Sequence, residues 1–556
     1  MAEFIIGTAI GATGIILAIK GAVDGYVLIR EIFGSHKETD NFTLLYEYQL
    51  IKFKTWSDRV KAHDQKTCLV VKEPKEIQDI VARTIAAIID TQEVVGKVLM
   101  EKYKIKPISS PIPGKPGGPG AQPAFHRKSD WISHFRRERD KQKTAHPIAW
   151  AAKDKLKLKE QVELLDKFNN ALEGLVRPDQ YDEARVVANI VSALEKTSSL
   201  ATLPTVHSNS TMSPSQDTLL SLTALIKQVQ EEDVLVAASR ANLIQARDLD
   251  LLYKPDASTS YSNGTYESPG KPPQQVLIEW KYVSATVQAK TQIVSRICAL
   301  GTLLSTANPA EFHRLSCFGV FDDLDYEQAS KGSRRIGLVY SIPRGIEMDA
   351  NSPLSLLELI SKRGTRPPLE VRFRLAHQLA SAVALLHAAN WLHKSLRSDN
   401  ILFSGRTIQD ANLAAPFICG FQYSRPAADT SLESRPLGQP KLDVYYHPLV
   451  GSGWNKVREV YSLGIILLEV AYWRPVFEDK YKDMTMAQVS DDIVNCLDGK
   501  FGRDLEGMVG TKFVKVINCC LKGDFDIDSR RPQDERKVMS HKFWQRVVEP
   551  LSECKA

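Results

Sequence analysis

The chain has 556 residues, 43% of them hydrophobic and 25% charged, with eight cysteines and a formal net charge of +6. This length is too great for one hydrophobic core, and the ordinary composition argues against a disordered chain and a multispan membrane protein. The cysteines form no CxxC pair and no disulfide framework, which favours a reducing, cytoplasmic environment.

The chain opens with an almost uncharged stretch, GTAIGATGIILAIKGAVDG, at residues 7–25. Small residues recur there at spacings of four and three, which places them on one helical face. They are Gly7, Gly11, Gly14, Ala18, Gly21 and Gly25. A helix from Ile5 to Gly25 would measure about 30 Å, the thickness of a hydrocarbon core. Because small residues let helices approach closely, the stripe predicts a packing surface for oligomerisation or membrane association.

Three interpretations of this opening helix stay open. Glu3 precedes the apolar run and no basic leader is present, which disfavours a cleavable signal. A permanent transmembrane anchor and an ordinary helix of a soluble bundle are both compatible with the stretch. We favour a helix that is buried or peripheral at rest and inserts into a membrane when the protein oligomerises.

Helical periodicity continues after this stretch. The segment FTLLYEYQLIKFKTWSDRV places Tyr48 and Trp56 near one face, and a second amphipathic helix is predicted to begin near Pro74. Residues 107–124 hold too much Pro and Gly for a helix and predict a loop. Periodicity then resumes and runs to Leu252, so residues 1–252 predict an all-α helical bundle.

A basic segment lies inside this region. From Arg127 to Lys159 there are eleven Lys or Arg and four Asp or Glu. Trp131, Phe135 and Trp150 interleave with the basic residues, which suits an anionic lipid surface. A solvated helix face is the alternative that we favour. No nucleic-acid recognition motif accompanies the charge, so nucleic acid is not expected as a partner.

The composition changes after a polar linker, residues 253–275. Short runs rich in β-branched and aromatic residues follow, such as VLIEWKYV, and long amphipathic helices return beyond Leu354. Residues 276–552 therefore predict a small sheet-bearing lobe followed by a larger helical lobe. The expected architecture is multidomain, an all-α bundle plus a bilobal α+β domain.

Residues 385–423 contain LHKSLRSDNILF and, later, GFQ. These runs resemble the HRD…N and DFG elements of protein kinases, and VREVYSLGIILLEV resembles the long buried helix of their large lobe. The elements occur in the family's order, so the resemblance implies a kinase-like domain. It also implies that His393 and Phe421 pack through its centre.

The charged groups of the kinase pattern are missing. Phosphoryl transfer needs a catalytic-loop Asp and a metal-binding Asp, and Ser395 and Gly420 occupy those positions. Neither side chain can replace a carboxylate. The resemblance therefore implies a pseudokinase with no catalytic residues and no metal site, and its degenerate positions are His393, Ser395, Arg397 and Gly420.

Two residues remain as candidates for nucleotide binding. Lys281 is the best match for the lysine that meets the α and β phosphates, and Asn400 is a remnant of the metal site. No cofactor is required, although ATP without tightly bound magnesium stays open. An atypical active Ser/Thr kinase that uses Asp399 is the competing hypothesis.

The first half resembles the HeLo domain of fungal HET-S-type cell-death proteins. The resemblance rests on the glycine-rich apolar start and on the aromatic-rich stretch that ends near Trp56. It implies a cell-death or incompatibility effector that forms homo-oligomers and binds anionic lipids. Such an effector would move from the cytoplasm to the plasma membrane when an unknown upstream protein activates it. A soluble scaffold is the further alternative.

Overall fold

The structure of the chain is a computed structural model. It describes residues 12–34, 40–62, 68–105, 130–141, 152–175, 191, 223–224, 226–227, 233–252, 255, 260–268, 270, 272–284, 290–306, 312–342, 354–362, 366–405, 409–426, 439–525, 539–540 and 542–556. The chain divides into two compact units, Met1–Asp217 and Thr218–Ala556.

The described part of the first unit is helical, as its sequence predicts. Its helices are α1 (Ala12–Gly34), α2 (Asp40–Arg59), α3 (Leu69–Lys72), α4 (Lys75–Lys102), α5 (Asp130–Lys141) and α6 (Ala152–Leu175). Helix α4 begins directly after Pro74, where a missing N–H group costs no helical hydrogen bond. The loop predicted at 107–124 lies outside the described residues.

The core of this unit forms where α1, α2, α4 and α6 meet. Apolar residues at spacings of three and four bury one side of each helix. Aromatic rings fill the contact between α1 and α2: the Tyr26 centroid lies 6.0 Å from that of Tyr46 and 5.6 Å from that of Phe53. Helix α1 is therefore an integral part of the bundle.

The basic segment contributes to the same core. Phe135 of α5 is fully buried, and its ring lies 5.4 Å from that of Tyr103 in an edge-to-face contact. Phe135 is therefore a core residue in this fold, because its ring covers the end of α4. Arg137 is exposed to solvent, whereas the side chains of Trp131 and Trp150 lie outside the described residues.

The second unit contains helix α7 (Val234–Ser239) and a six-stranded sheet. Its strands are β1 (Leu243–Ile244), β2 (Leu249–Leu251), β3 (Tyr261–Tyr266), β4 (Gln274–Val283), β5 (Cys317–Asp322) and β6 (Arg334–Ser341), in the order β1-β5-β6-β4-β3-β2. Helix α8 (Lys290–Thr306) follows β4 and packs on β5, and α9 (Leu324–Ala329) precedes β6.

This sheet begins earlier in the chain than the sequence predicts. Strands β1 and β2 lie in the region 1–252 that we assigned to the bundle, and β3 lies in the predicted linker 253–275. The compact units divide at 217–218 instead of near 252. Strands of two or three residues have no readable periodicity, and β1 pairs with a strand more than 70 residues away.

The remainder of the second unit is mainly helical. Among its helices are α10 (Leu356–Ser361), α11 (Leu369–Ala388), α12 (Pro440–Asp443), α13 (Lys456–Tyr472), α14 (Met486–Asp498), α15 (Lys500–Val509), α16 (Thr511–Lys522) and α17 (Glu549–Ser552). Short strands lie among them, namely β7 (Leu354–Ser355), β8 (Trp391–Leu392), β9 (Ile401–Phe403), β10 (Phe417–Ile418) and β11 (Arg425–Pro426).

Helix α13 anchors this helical part. Asn455 caps its first turn by accepting a hydrogen bond from the Arg458 N–H at 2.9 Å, and almost every residue of the helix is buried. The helix carries two buried acids, Glu459 and Glu469, which bind the loops that precede β9. It thereby fixes the position of residues 393–400.

Candidate functional site

The residues that the sequence compares with protein-kinase elements lie where the sheet of the second unit meets its helical part. We call this place the junction, formed by residues 393–400 and 418–423 together with Tyr261, Glu279 and Lys281. Antiparallel pairing of β9 with β10 sets Ile418 opposite Ile401. The Cys419 N–H also donates to the Asn400 carbonyl at 2.8 Å. These contacts bring Gly420 beside Asn400.

Two aromatic side chains form the interior of the junction. The ring centroids of His393 and Phe421 lie 4.5 Å apart in an edge-to-face contact, and both side chains are buried. The ring of Trp391 also packs against Phe421, with the centroids 5.3 Å apart. The Ser395 N–H donates to Nδ1 of His393 at 3.2 Å, which fixes the imidazole.

Asn400 is held by a set of internal hydrogen bonds. Its Nδ2 donates to the carbonyl oxygen of Ser395 at 2.7 Å and to Oγ of the same residue at 3.0 Å. Its Oδ1 accepts from the Tyr261 hydroxyl at 2.9 Å. The amide thus links the helical part to strand β3, and a metal ligand role would require it to exchange these partners.

Gly420 adopts a left-handed conformation, with φ of +87°. A Cβ at this position would overlap the side-chain amide of Asn400. The side chain of Asn400 therefore fills the space that an aspartate at 420 would need. Position 420 thus favours glycine, both because of its positive φ and because a side chain there would overlap Asn400.

Asp399, the candidate base of the competing hypothesis, is paired with Arg397. The guanidinium donates from Nε to Oδ1 and from Nη2 to Oδ2, both at 2.7 Å. Nη1 of Arg397 also donates to the Tyr446 hydroxyl at 3.1 Å. Both carboxylate oxygens of Asp399 are thus engaged in a bidentate pair, which a catalytic role would have to break.

The sequence analysis missed two residues of the junction, Tyr261 and the acid Glu279. Its Oε2 accepts from the Gly420 N–H at 2.9 Å and from the Tyr340 hydroxyl at 3.2 Å, and its Oε1 accepts from the Gln422 N–H at 2.8 Å. Burial raises the pKa of Glu279, and the backbone N–H donors oppose this effect. A glutamate inside the apolar run VLIEWKYV was the available signal, because a buried acid needs partners.

Lys281 lies two residues further along the same face of β4. It is buried, and its Nζ lies 3.9 Å from the centre of the Tyr423 ring, a cation–π contact. The structure thus brings Lys281 and Asn400 to the same junction. Glu279, near the middle of the same strand, contacts the turn 420–422 directly.

A second buried acid connects the junction to α13. Glu469 accepts hydrogen bonds from the Tyr445 hydroxyl at 3.0 Å, from the Val476 N–H at 2.9 Å and from Oγ of Ser398. Burial raises the pKa of Glu469 from 4.5 to about 7. The carboxyl group therefore titrates near neutral pH in the folded chain.

This pKa predicts a pH-dependent stability of the second unit. Between about pH 4.5 and 7 folded Glu469 keeps a proton that the unfolded chain releases, so stability falls as pH rises through this window. Relative to Glu469→Gln, which cannot ionise, the wild type should lose on the order of 2 kcal/mol between pH 5 and 7. Urea denaturation of both chains at several pH values measures the difference, and a difference that does not change with pH would contradict the prediction.

The stripe of small residues is partly buried in helix α1. Ala18 and Gly25 are buried, Gly14 and Gly21 are half-buried, and Gly7 and Gly11 lie outside the described residues. A Cβ at Gly25 would overlap Gln92 of α4. Nε2 of Gln92 donates to the Ala22 carbonyl at 2.9 Å. Gly25 thus allows a buried amide to bind the backbone of α1.

A network of polar side chains joins α1 and α2 to α6. Nδ2 of Asn169 donates to the Tyr26 hydroxyl at 3.2 Å and to Oε1 of Gln49 at 2.8 Å. Oδ1 of Asp166 accepts from Nε2 of Gln49 at 2.9 Å and from Nζ of Lys52 at 3.1 Å. Withdrawal of α1 from the bundle would break the Tyr26 contact.

No described helix has both the length and the apolar character needed to cross a bilayer. Helix α1 is long enough, but it carries Lys20, Asp24, Arg30 and Glu31. Leu17 is its exposed large apolar side chain, with 44% of its surface accessible. Within the same described residues, no three His, Cys, Asp or Glu side chains are grouped to hold a metal ion.

Two family models match the chain. Residues 7–203 match the HeLo family, described as prion-inhibition and propagation, and this range falls within the first unit. Residues 330–554 match a domain of unknown function, DUF7580. The second match includes 393–400 and 418–423 but not Tyr261, Glu279 or Lys281.

Three known proteins show weak similarity to parts of the chain. The LEAF RUST 10 disease-resistance locus receptor-like protein kinase-like 1.2 of Arabidopsis thaliana is 28% identical over 38% of this chain and 32% of its own length. The putative cyclin-dependent kinase F-2 of Oryza sativa subsp. japonica is 29% identical over 23% and 37%. Cyclic GMP-binding protein C of Dictyostelium discoideum is 28% identical over 26% and 5%. The chain thus spans little more than a third of these relatives at most.

Proposed function

We propose that the protein is an effector of the fungal cell-death or incompatibility type, in which a kinase-like second unit regulates a membrane-active helical unit. The observation that carries the proposal is the HeLo match over residues 7–203, which coincides with a helical unit whose first helix is striped with small residues. The kinase-like similarities support the second half of the proposal.

The second unit is proposed to be a pseudokinase. In protein kinases the phosphate-binding lysine lies on a strand that leads into a helix, and here β4 leads into α8 in the same way. The contact between His393 and Phe421 supports the same assignment. Ser395 and Gly420 stand where two carboxylates would be needed, and Asp399 is engaged by Arg397. We therefore assign this unit a regulatory role without phosphoryl transfer.

The helical unit is proposed to act on membranes after release. At rest, Gln92 binds the backbone of α1, and Asn169 binds Tyr26. Release of α1 from these contacts would free the striped face for association with copies of the same chain near anionic lipids of the plasma membrane. The signal that triggers release would come from an upstream partner of the second unit.

Expression in yeast tests whether the first unit is toxic and whether the second unit restrains it. We expect residues 1–217 to arrest growth more strongly than the full chain, because the second unit no longer restrains α1. The chains are compared at equal protein levels. The control variant is the same segment with Leu17→Glu, which places a charge on an exposed site of α1. Equal growth with the empty vector, the segment and the full chain would refute the proposal.

A further inference from the structure

Two side chains of the sheet reach the same part of the junction. Tyr261 of β3 is the register partner of Glu279 of β4. Directly opposed residues of antiparallel strands lie on the same face of a sheet, so both side chains lie on the face toward residues 395–422. Tyr261 binds Asn400, whereas Glu279 binds the turn 420–422. The sheet and the helical part are therefore joined by two neighbouring contacts.

Several polar groups of the junction that could serve a ligand are already used by the chain itself. The two hydrogens of Asn400 Nδ2 are accounted for by the two oxygens of Ser395, and Oδ1 accepts from Tyr261. The N–H groups of Gly420 and Gln422 both donate to Glu279. Backbone N–H groups and hydroxyls of this kind are the donors that bind phosphate oxygens in other proteins.

Glu279 occupies these donors with a carboxylate of its own chain. Its carboxyl group is buried and receives a third hydrogen bond from Tyr340. A phosphate brought to the same donors would have to displace this carboxylate. If the carboxylate stayed, the two negative charges would repel each other strongly, because the site is shielded from water.

We propose that Glu279 acts as an internal anionic ligand that closes the junction to nucleoside triphosphates. The inference deepens the proposed function, on which it rests for the assignment of the junction as a kinase-like cleft. The inference adds that the regulatory role proposed for the second unit does not involve binding of ATP. Glu279 is thus the residue that determines which ligands the junction excludes.

The test uses the full chain and ATP, with and without magnesium. We expect no ATP-dependent change in the unfolding temperature of the wild type, and a saturable increase for Glu279→Gln, in which the charge is removed. Glu267→Gln is the matched control, because Glu267 is an exposed acid at the end of β3. A shift for the wild type would overturn the proposal, and so would a folded Glu279→Gln chain that ATP does not stabilise.

Hydrogen exchange keeps the test decisive if Glu279→Gln folds poorly. In the wild type the amides of Gly420 and Gln422 should be protected, and exchange at the rate of an open loop would overturn the proposal. In Glu279→Gln they should exchange about tenfold faster or more, as for loss of a hydrogen bond to a charged group, while α13 stays protected.

Tyr261→Phe tests whether the charge of Glu279, and not the hydrogen bond between Tyr261 and Asn400, excludes ATP. This variant loses the bond to Asn400 but keeps the carboxylate, so it should exchange faster near Asn400 and still exclude ATP. ATP binding by Tyr261→Phe would overturn the role of Glu279. The yeast growth test involves no added nucleotide, so a failure there rejects the proposed function and leaves ATP exclusion to be judged separately.

Discussion

Replacement of Asp166 by asparagine should lower the free energy of unfolding of the first unit by about 3 kcal/mol, because it leaves the Lys52 ammonium buried without its ionic partner. The Lys52 side chain is only 4% exposed and that of Asp166 16% exposed, so water cannot replace the lost charge. Oδ1 of Asn170 remains as a neutral acceptor for Lys52. Hydrogen exchange of α2 and α6 in the full chain at increasing urea concentrations measures this loss.

The pH dependence of the Asp166 variant provides a second readout. Burial alone would raise the pKa of Asp166, but Lys52, Gln49 and Asn170 together lower it below 3.8. The stabilisation is therefore present above about pH 4 and is lost as pH falls through the lower folded pKa, so the gap between wild type and variant should narrow there.

Lys97→Gln is the matched control for Asp166→Asn. It breaks an ion pair with Glu93 that is exposed and spans one helical turn, which should cost less than about 0.5 kcal/mol. If Asp166→Asn cost no more than Lys97→Gln, the polar network would not stabilise the packing of α1 and α2 on α6.

Replacement of Gly420 by alanine should destabilise the second unit by about 2–4 kcal/mol. The left-handed conformation penalises any Cβ, and the new methyl group would overlap Asn400, which is itself fixed by Ser395 and Tyr261. Gly420→Asp, which would restore the acid of the kinase pattern, should cost more, because its carboxylate would lie near Glu279. Hydrogen exchange of α13 and of residues 393–403 under urea measures both.

Gly507→Ala is the matched control for Gly420→Ala. Gly507 lies in helix α15, and a Cβ there would meet no atom within 4 Å. Alanine in a helix is favoured over glycine, so this variant should be unchanged or more stable by up to about 1 kcal/mol. Equal effects at 420 and 507 would show that Asn400 does not restrict position 420.

The sequence predicted the parts of the fold that depend on local signals. Helix α4 starts directly after Pro74. The helical segment VREVYSLGIILLEV lies within α13, whose residues are almost all buried. Both have apolar periodicity over several turns and a recognisable start. The general division into a helical first region and a later region with sheet and helices is confirmed.

Features that depend on distant pairing could not be predicted in this way. Strand β1 consists of two residues that pair with β5, and nothing in its own sequence distinguishes it from the end of a helix. Glu279 was missed because its hydrogen-bond partners are distant in the sequence. The Gly420 N–H, which donates to its carboxylate, lies 141 residues further along the chain.

Dye release from vesicles of equimolar phosphatidylcholine and phosphatidylserine tests the central claim, that α1 acts on membranes, most directly. The experiment compares residues 1–217 as wild type, Leu17→Glu and Ile80→Glu, where Leu17 and Ile80 are 44% and 37% exposed on α1 and α4. Hydrogen exchange of α4 first establishes that each variant is folded. The account predicts release by the wild type and by Ile80→Glu. It also predicts release about a hundredfold lower for Leu17→Glu, because a carboxylate in hydrocarbon costs on the order of 3 kcal/mol and each 1.4 kcal/mol is about tenfold. Equal release by the two variants, or none by the wild type, would contradict it.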